Sequence, residues 1–295
     1  MTSFLQRLRI RLRADHILGM NRRNLQYIQA KNPRAHYPLA DDKILAKKLM
    51  VDSGLPVPET IAVVNRRDQI DTQVQALHNV GGFVVKPSRG FGGAGVLVIT
   101  RSEDGFHKPS GDRLTDADLR LHMASILAGM FALDHIEDAV LIERLVRDDS
   151  VLSKIHGGIG VSDLRIIVQD DVPVMAMLRL PTRASNGTAN LHQHGIGIGV
   201  DLQTGRTTHA VHDDQPINAH PDTGAALHGI AIPGWTRSIE LAKQINTVFG
   251  MGYLGADIVL DADQGPVILE VNVRPGLAIQ LANQTGLRAV LEGRH

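Results

Sequence analysis

The chain has 295 residues, 43% of them hydrophobic, with 31 Lys+Arg balanced by 31 Asp+Glu. Such a length holds one large domain or two smaller ones around a substantial core, and the absence of cysteine excludes disulfides and thiolate metal sites. No apolar run reaches the length of a membrane span, and arginines stand where a signal peptide needs its apolar core, so a cytoplasmic protein with no transmembrane segment is expected.

Charge is uneven along the chain. Residues 1–48 carry 11 Lys/Arg against 3 Asp/Glu, which leaves 20 against 28 for residues 49–295. Within 4–34, Arg7, Arg9, Arg11 and Arg13 alternate with Leu8, Ile10 and Leu12, and Arg22 and Arg23 follow. Leu5, Leu8 and Leu12 also fit a helical stripe, and a helix is the expectation. The segment is either a basic surface for an acidic partner or membrane face, or a packing arm with solvated arginines. The second is favoured, and nucleic acid is not expected, because aromatic interleaving is missing.

Asp41 and Asp42 offer an N-cap ahead of Ile44, Leu45 and Leu49, while Gly54 and Pro56 mark an end, so a helix is expected over about 42–53. Lys43 lies in its first turn, where a cation opposes the helix dipole; it is either an exposed lysine or one recruited to a phosphate. Residues 82–100 read as strand, glycine-rich loop, strand: Phe83–Ser88 with Lys86, then Gly90, Gly92, Gly93 and Gly95, then Val96–Ile99. A Walker loop or a dinucleotide fingerprint would open a helix, whereas a β-branched run follows here. The loop is expected to be a flexible flap whose backbone N–H groups turn toward phosphate oxygens beside the Lys86 ammonium.

Thr115–Phe131 reads as an amphipathic helix burying Leu119, Met123, Ile126 and Leu127. Ala139–Val146 reads as a strand whose carbonyls and amides could pair with an adenine edge if it ends in a cleft. Residues 147–161 are polar and glycine-bearing and read as a mobile connection. A hairpin follows, from Asp163-Leu164-Arg165 to Arg179, with Asp163 and Arg165 on one face and Ile166 on the other. Asn190-Leu191-His192-Gln193-His194 and Gly195–Gly199 read as a polar loop lining a pocket; a metal pair from His192 and His194 is disfavoured without a further matched ligand. Residues 236–249 form a helix with Ile239, Ala242, Ile245 and Phe249 inward and Gly250 at its end.

The last motif carries the most chemistry. Gly255–Leu260 and Pro266–Gly276, joined through Asp261–Gly265, read as a β-hairpin in which Glu270 and Asn272 share a face and Asp257 can lie opposite. Two carboxylates and an amide carbonyl, with no sulfur nearby, suit a hard cation such as Mg²⁺, with Mn²⁺ as a substitute. The alternative is a pair of solvated carboxylates and a turn asparagine.

In this order and spacing the set resembles the ATP-grasp superfamily, in its alpha-L-glutamate ligase (RimK-like) and sugar-transfer-associated branches, over about residues 40–290. The resemblance implies an α+β fold in which two subdomains pinch ATP: a basic segment over 1–40, an N-terminal subdomain over 41–138 and a C-terminal one over 139–295. It implies that Lys43 and Lys86 contact phosphates under residues 90–95, and that Glu143 and Arg144, with Leu145 just beyond, present backbone groups to adenine. Asp163 would reach the nucleotide sugar, Asn190 the phosphates or metal, and Asp257, Glu270 and Asn272 the Mg²⁺ ions. Arg165 or Arg274 would orient a substrate carboxylate.

The sequence also departs from that pattern. Only about forty residues precede the first phosphate lysine where such ligases carry a whole α/β domain, so part of the acceptor site is expected to be missing or replaced. Thr188 stands where an arginine is usual, passing a phosphate contact to Arg165, Arg179 or Arg183, and Arg274 stands where a small residue is common. The implied activity is a carboxylate–amine ligase acting through an acyl phosphate, with a carboxylate substrate and an amine acceptor. It could add glutamate or another amino acid to a peptide, a protein tail or a small molecule, and could work as a homo-oligomer. The alternatives are a kinase for a hydroxyl or sugar and a non-catalytic nucleotide-binding scaffold.

Overall fold

A computed structural model describes residues 16–90, 92–132 and 136–293. Two compact units form: Pro38–Val146, and a second that draws on both Met1–Tyr37 and Arg147–His295. Arg7, Arg9, Arg11 and Arg13 lie outside the described residues.

Alternating apolar residues build the sheet of the Pro38–Val146 unit. Its strands are β1 (Thr60–Val64), β2 (Gly82–Pro87), β3 (Leu97–Ser102), β4 (Gly105–His107), β5 (Arg113–Leu114) and β6 (Val140–Arg144), ordered β1-β6-β2-β3-β4-β5 and antiparallel throughout. The 139–146 strand therefore lies inside this sheet, between β1 and β2. Phe83, Val85, Ile99, Val140 and Ile142 form its core with Leu119, Met123 and Ile126 of the helix Asp116–Leu127. Phe83 meets Phe106 edge-to-face at 5.5 Å, the geometry favoured by the ring quadrupoles. That helix is shorter than the 115–131 expected, because Gly129 takes a positive φ just past its end. The helix Lys43–Asp52 starts where expected: the Asp42 carboxylate accepts from the amides of Ile44 (3.0 Å) and Leu45 (3.2 Å).

The second unit is built on β7 (Asp163–Gln169), β8 (Val172–Leu180), β9 (Ile196–Val200), β10 (Thr207–His212), β11 (Gln215–Ile217), β12 (Tyr253–Asp261) and β13 (Gly265–Asn272). They form one antiparallel sheet in the order β11-β10-β9-β8-β7-β12-β13. The helix Trp235–Phe249 packs on it, burying Leu241, Ala242, Ile245 and Phe249 between glycine caps at 234 and 250.

Two stretches differ from their sequence reading. Residues 150–156, expected to be part of a mobile connection, form a helix capped by Asp149, whose carboxylate accepts from the Val151 amide at 2.8 Å. Gly195–Gly199, expected as loop, is mostly the fully buried strand β9, where a Cβ on Gly197 would stand 2.7 Å from Leu191 and one on Gly199 2.6 Å from the Ala282 carbonyl. Close packing, and not loop flexibility, accounts for those glycines. Of the basic front segment, residues 20–31 are helical and pack as an arm: Arg23 is buried and donates to the Pro275 carbonyl at 2.8 Å, and Asn32 exchanges two hydrogen bonds with the backbone of Tyr253.

Candidate active site

Most of the predicted charged residues fall into two clusters, one in each unit. In the Pro38–Val146 unit the centre is Glu143, which points from β6 into a buried pocket of two ammonium groups. Lys86 of β2 bonds Oε2 at 2.5 Å and Lys47 of the helix Lys43–Asp52 bonds Oε1; all three residues are less than a tenth exposed. Burial pushes the Glu143 carboxyl up, but Lys86 and Lys47 outweigh it and hold it below the usual range. Burial dominates at Lys47, whose ammonium is lowered despite Glu143. Lys47 escaped the sequence reading; the signal for it was an acid standing in the apolar run of β6, which needs a buried cation.

The backbone of β6 is paired along both edges. Its edges are spent on β1 and β2, with the Arg144 amide donating to the Glu59 carbonyl (2.9 Å) and the Leu145 amide to Gly82 (3.2 Å). Neither amide is left to meet an adenine edge in this conformation.

The glycine loop is anchored more firmly than expected of a flap. The Lys43 ammonium donates to the Gly90 carbonyl at 2.6 Å, and His122 bonds the Gly95 carbonyl at 2.9 Å. A Cβ on Gly95 would sit 2.6 Å from the Phe131 ring, whereas Gly92 and Gly93, both at positive φ, have open space around them.

In the second unit the polar residues of four neighbouring strands line up on one sheet face. Register places Arg165 opposite Asp257, Asp257 opposite Glu270, Gly255 opposite Asn272 and Asp163 opposite Arg179. A β-bulge in β13 produces this arrangement: Ile258 pairs with Ile268, yet Asp257 pairs with Glu270, so Leu269 is skipped. Without the bulge Asp257 and Glu270 would point to opposite faces. Gly255 is required beside them, since a Cβ there would stand 2.7 Å from Pro275.

Asp257 is the hub. Its Oδ1 accepts Arg165 Nε at 2.8 Å, while its Oδ2 accepts Arg165 Nη2 (2.5 Å), Arg179 Nη2 (2.8 Å) and Asn272 Nδ2 (3.1 Å). Arg179 also forks onto Asp163. Burial raises the Asp257 carboxyl, but Arg165 and Arg179 override it and hold it at about 2. At Asp163 burial wins with help from the neighbouring Asp257 charge, and the carboxyl is pushed up to about 6 against the pull of Arg179. Glu270 and Asn272 are half-buried.

Arg274 and Asn190 make other contacts in the same unit. Arg274 stacks over the Tyr37 ring, 5.3 Å from its centroid. Asn190 caps the turn Leu191–Gln193, accepting from the His192 amide at 3.0 Å, and His194 pairs with Asp213. Among the described residues no group of three or more His, Cys, Asp or Glu is placed to hold a metal. The mixed set Asp257, Glu270 and Asn272 still has the all-oxygen chemistry that suits Mg²⁺.

Two α+β units, each an antiparallel sheet with packed helices, define an ATP-grasp fold. Residues 22–293 match the sugar-transfer associated ATP-grasp family, and the chain belongs to it. No curated protein matches the sequence. Among solved structures, D-alanyl-alanine synthetase A from Vibrio cholerae O1 biovar eltor is similar at 12% identity and TM-score 0.51, over 89% of this chain and 62% of that one. The ATP-grasp ligase PsnB, complexed with minimal precursor, Mg and ADP, gives 16% identity and TM-score 0.49 over 90% and 60%. A RimK domain ATP-grasp protein from Sphaerobacter thermophilus gives 15% and 0.48 over 88% and 69%. The chain thus spans about three fifths of the first two structures.

Proposed function

We propose that this protein is an ATP-dependent carboxylate–amine ligase. The observation that carries the reading is the row of Arg165, Asp257, Glu270 and Asn272 on one sheet face, which joins hard oxygen ligands to a guanidinium suited to carboxylates and phosphates. Lys86 and Lys43 neutralise nucleotide phosphates, and Glu143 fixes the position of Lys86. Asp257, Glu270 and Asn272 would hold Mg²⁺ (or Mn²⁺), which would supply neutralisation of the phosphate charge. A substrate carboxylate oxygen attacks the γ-phosphorus, the bond to the β–γ bridging oxygen breaks, and ADP leaves. The amine then attacks the acyl carbon, phosphate departs with the electron pair of the broken C–O bond, and the proton lost from the nitrogen passes to the departing phosphate. Arg165 orients the carboxylate and steadies the oxyanion.

The amine acceptor is a peptide, a protein tail or a small molecule, and the added group is glutamate or another amino acid. The family's association with sugar transfer favours one second reading, in which a sugar hydroxyl takes the phosphoryl group. A screen of paired carboxylates and amines, scored by ADP release, tests the main reading. Sustained release that requires both partners supports it; release driven by a sugar alone supports the kinase.

A further inference from the structure

Asp257 is asked to do two things at once. As a metal ligand it must offer a lone pair at about 2.0–2.1 Å to Mg²⁺, yet three donors already converge on its Oδ2 and one on its Oδ1. A carboxylate has about four acceptor positions in all. Of the two guanidiniums, Arg179 is the fixture, because it is forked between Asp163 and Asp257 and only 10% of its side chain is exposed. Arg165 hydrogen-bonds one carboxylate, Asp257, and its side chain is 14% exposed. Its Nη1 stands 3.6 Å from where a Gly276 side chain would begin, so the absence of that side chain leaves room along the guanidinium.

We infer that Arg165 is a metal-displaced positioning residue: the cation and Arg165 compete for Asp257, and metal loading releases the guanidinium to take the substrate anion. The inference rests on the metal assignment proposed above. Arg179 stays on Asp257 after the exchange and keeps the carboxylate ionised. Carboxylate capture then waits on metal binding, which orders the substrates and leaves the metal-free protein with its arginine covered.

Mn²⁺ titration of the full chain, followed by electron paramagnetic resonance of the free ion, tests this without reference to turnover. Arg165→Gln is expected to bind Mn²⁺ about tenfold more tightly than the natural protein, the loss of one bidentate charged competitor. Arg165→Lys should fall between the two, since an ammonium keeps the charge without the fork. Asp257→Asn should lose binding. Equal or weaker binding by Arg165→Gln, with Asp257→Asn still defective, overturns the competition and leaves the metal site standing. Undiminished binding by Asp257→Asn overturns the metal assignment and the inference with it. The natural protein supplies a separate arm: phenylglyoxal should label Arg165, read by peptide mass spectrometry, several-fold faster with saturating Mn²⁺ than without. Equal labelling contradicts the release of Arg165.

Discussion

Lys86 and Glu143 face each other at 2.5 Å inside the six-stranded sheet, and the second oxygen of Glu143 is held by Lys47. One buried carboxylate thus neutralises half the charge of two buried ammonium groups, leaving a net positive centre. Glu143→Gln should therefore be costly, because it strands two cations with no counter-charge; about 3–5 kcal/mol is expected. Lys47→Met should cost much less, since it leaves a one-to-one pair. Urea denaturation checks both, and a loss below about 1 kcal/mol for Glu143→Gln would mean that water already solvates the lysines.

The same triad fixes a pH dependence. The Glu143 carboxyl lies below its usual 4.5 because Lys86 and Lys47 together outweigh the opposing effect of burial. A depressed acid stabilises the fold fully above its unfolded pKa and loses that contribution as pH falls through the folded value. The stability gap between the natural protein and Glu143→Gln should hold from neutral pH down to about pH 4.5 and close below it. A gap unchanged into stronger acid would show that the carboxylate contributes nothing by its charge.

How legible this was in the sequence varied with how local the cause is. Asp42 as a cap, the 236–249 helix and the 255–276 hairpin depend on neighbours in the chain, and the structure forms each of them. The face shared by Asp257 and Glu270 depends on a bulge at Leu269, which alternation counted back from the turn does not reveal. Lys47 and β9 depend on partners far away: Glu143 is 96 residues from Lys47, and Ala282 and Thr208 fill the space beside Gly199. Glycine-rich sequence reads as loop until the packing that excludes a Cβ is known. The engagement of Asp257 by both Arg165 and Arg179 was equally hidden, since it needs three strands in register.

Lys86 is expected to matter for nucleotide affinity beyond its structural pairing. A charge-assisted contact to a phosphate contributes about 1.5–3 kcal/mol, so Lys86→Ala should weaken ATP binding by about one to two orders of magnitude. Calorimetry on the folded variant decides; unchanged affinity would remove Lys86 from the nucleotide site.

The glycine loop should respond unevenly to substitution. Gly95→Ala meets the Phe131 ring at 2.6 Å and also carries a positive φ, so it should lower stability by about 1–3 kcal/mol. Gly93→Ala has only the φ penalty, about 1 kcal/mol. Thermal melts that rank the two the other way would show that Phe131 moves aside freely.

Trapping an acyl phosphate tests the proposed ligase reaction most directly. With Mg-ATP, the right carboxylate and hydroxylamine in place of the amine, a ligase should accumulate a hydroxamate together with ADP, and Glu270→Gln should suppress both. A stable phosphate ester as the lasting product, with no hydroxamate in the natural protein, would contradict the ligase assignment.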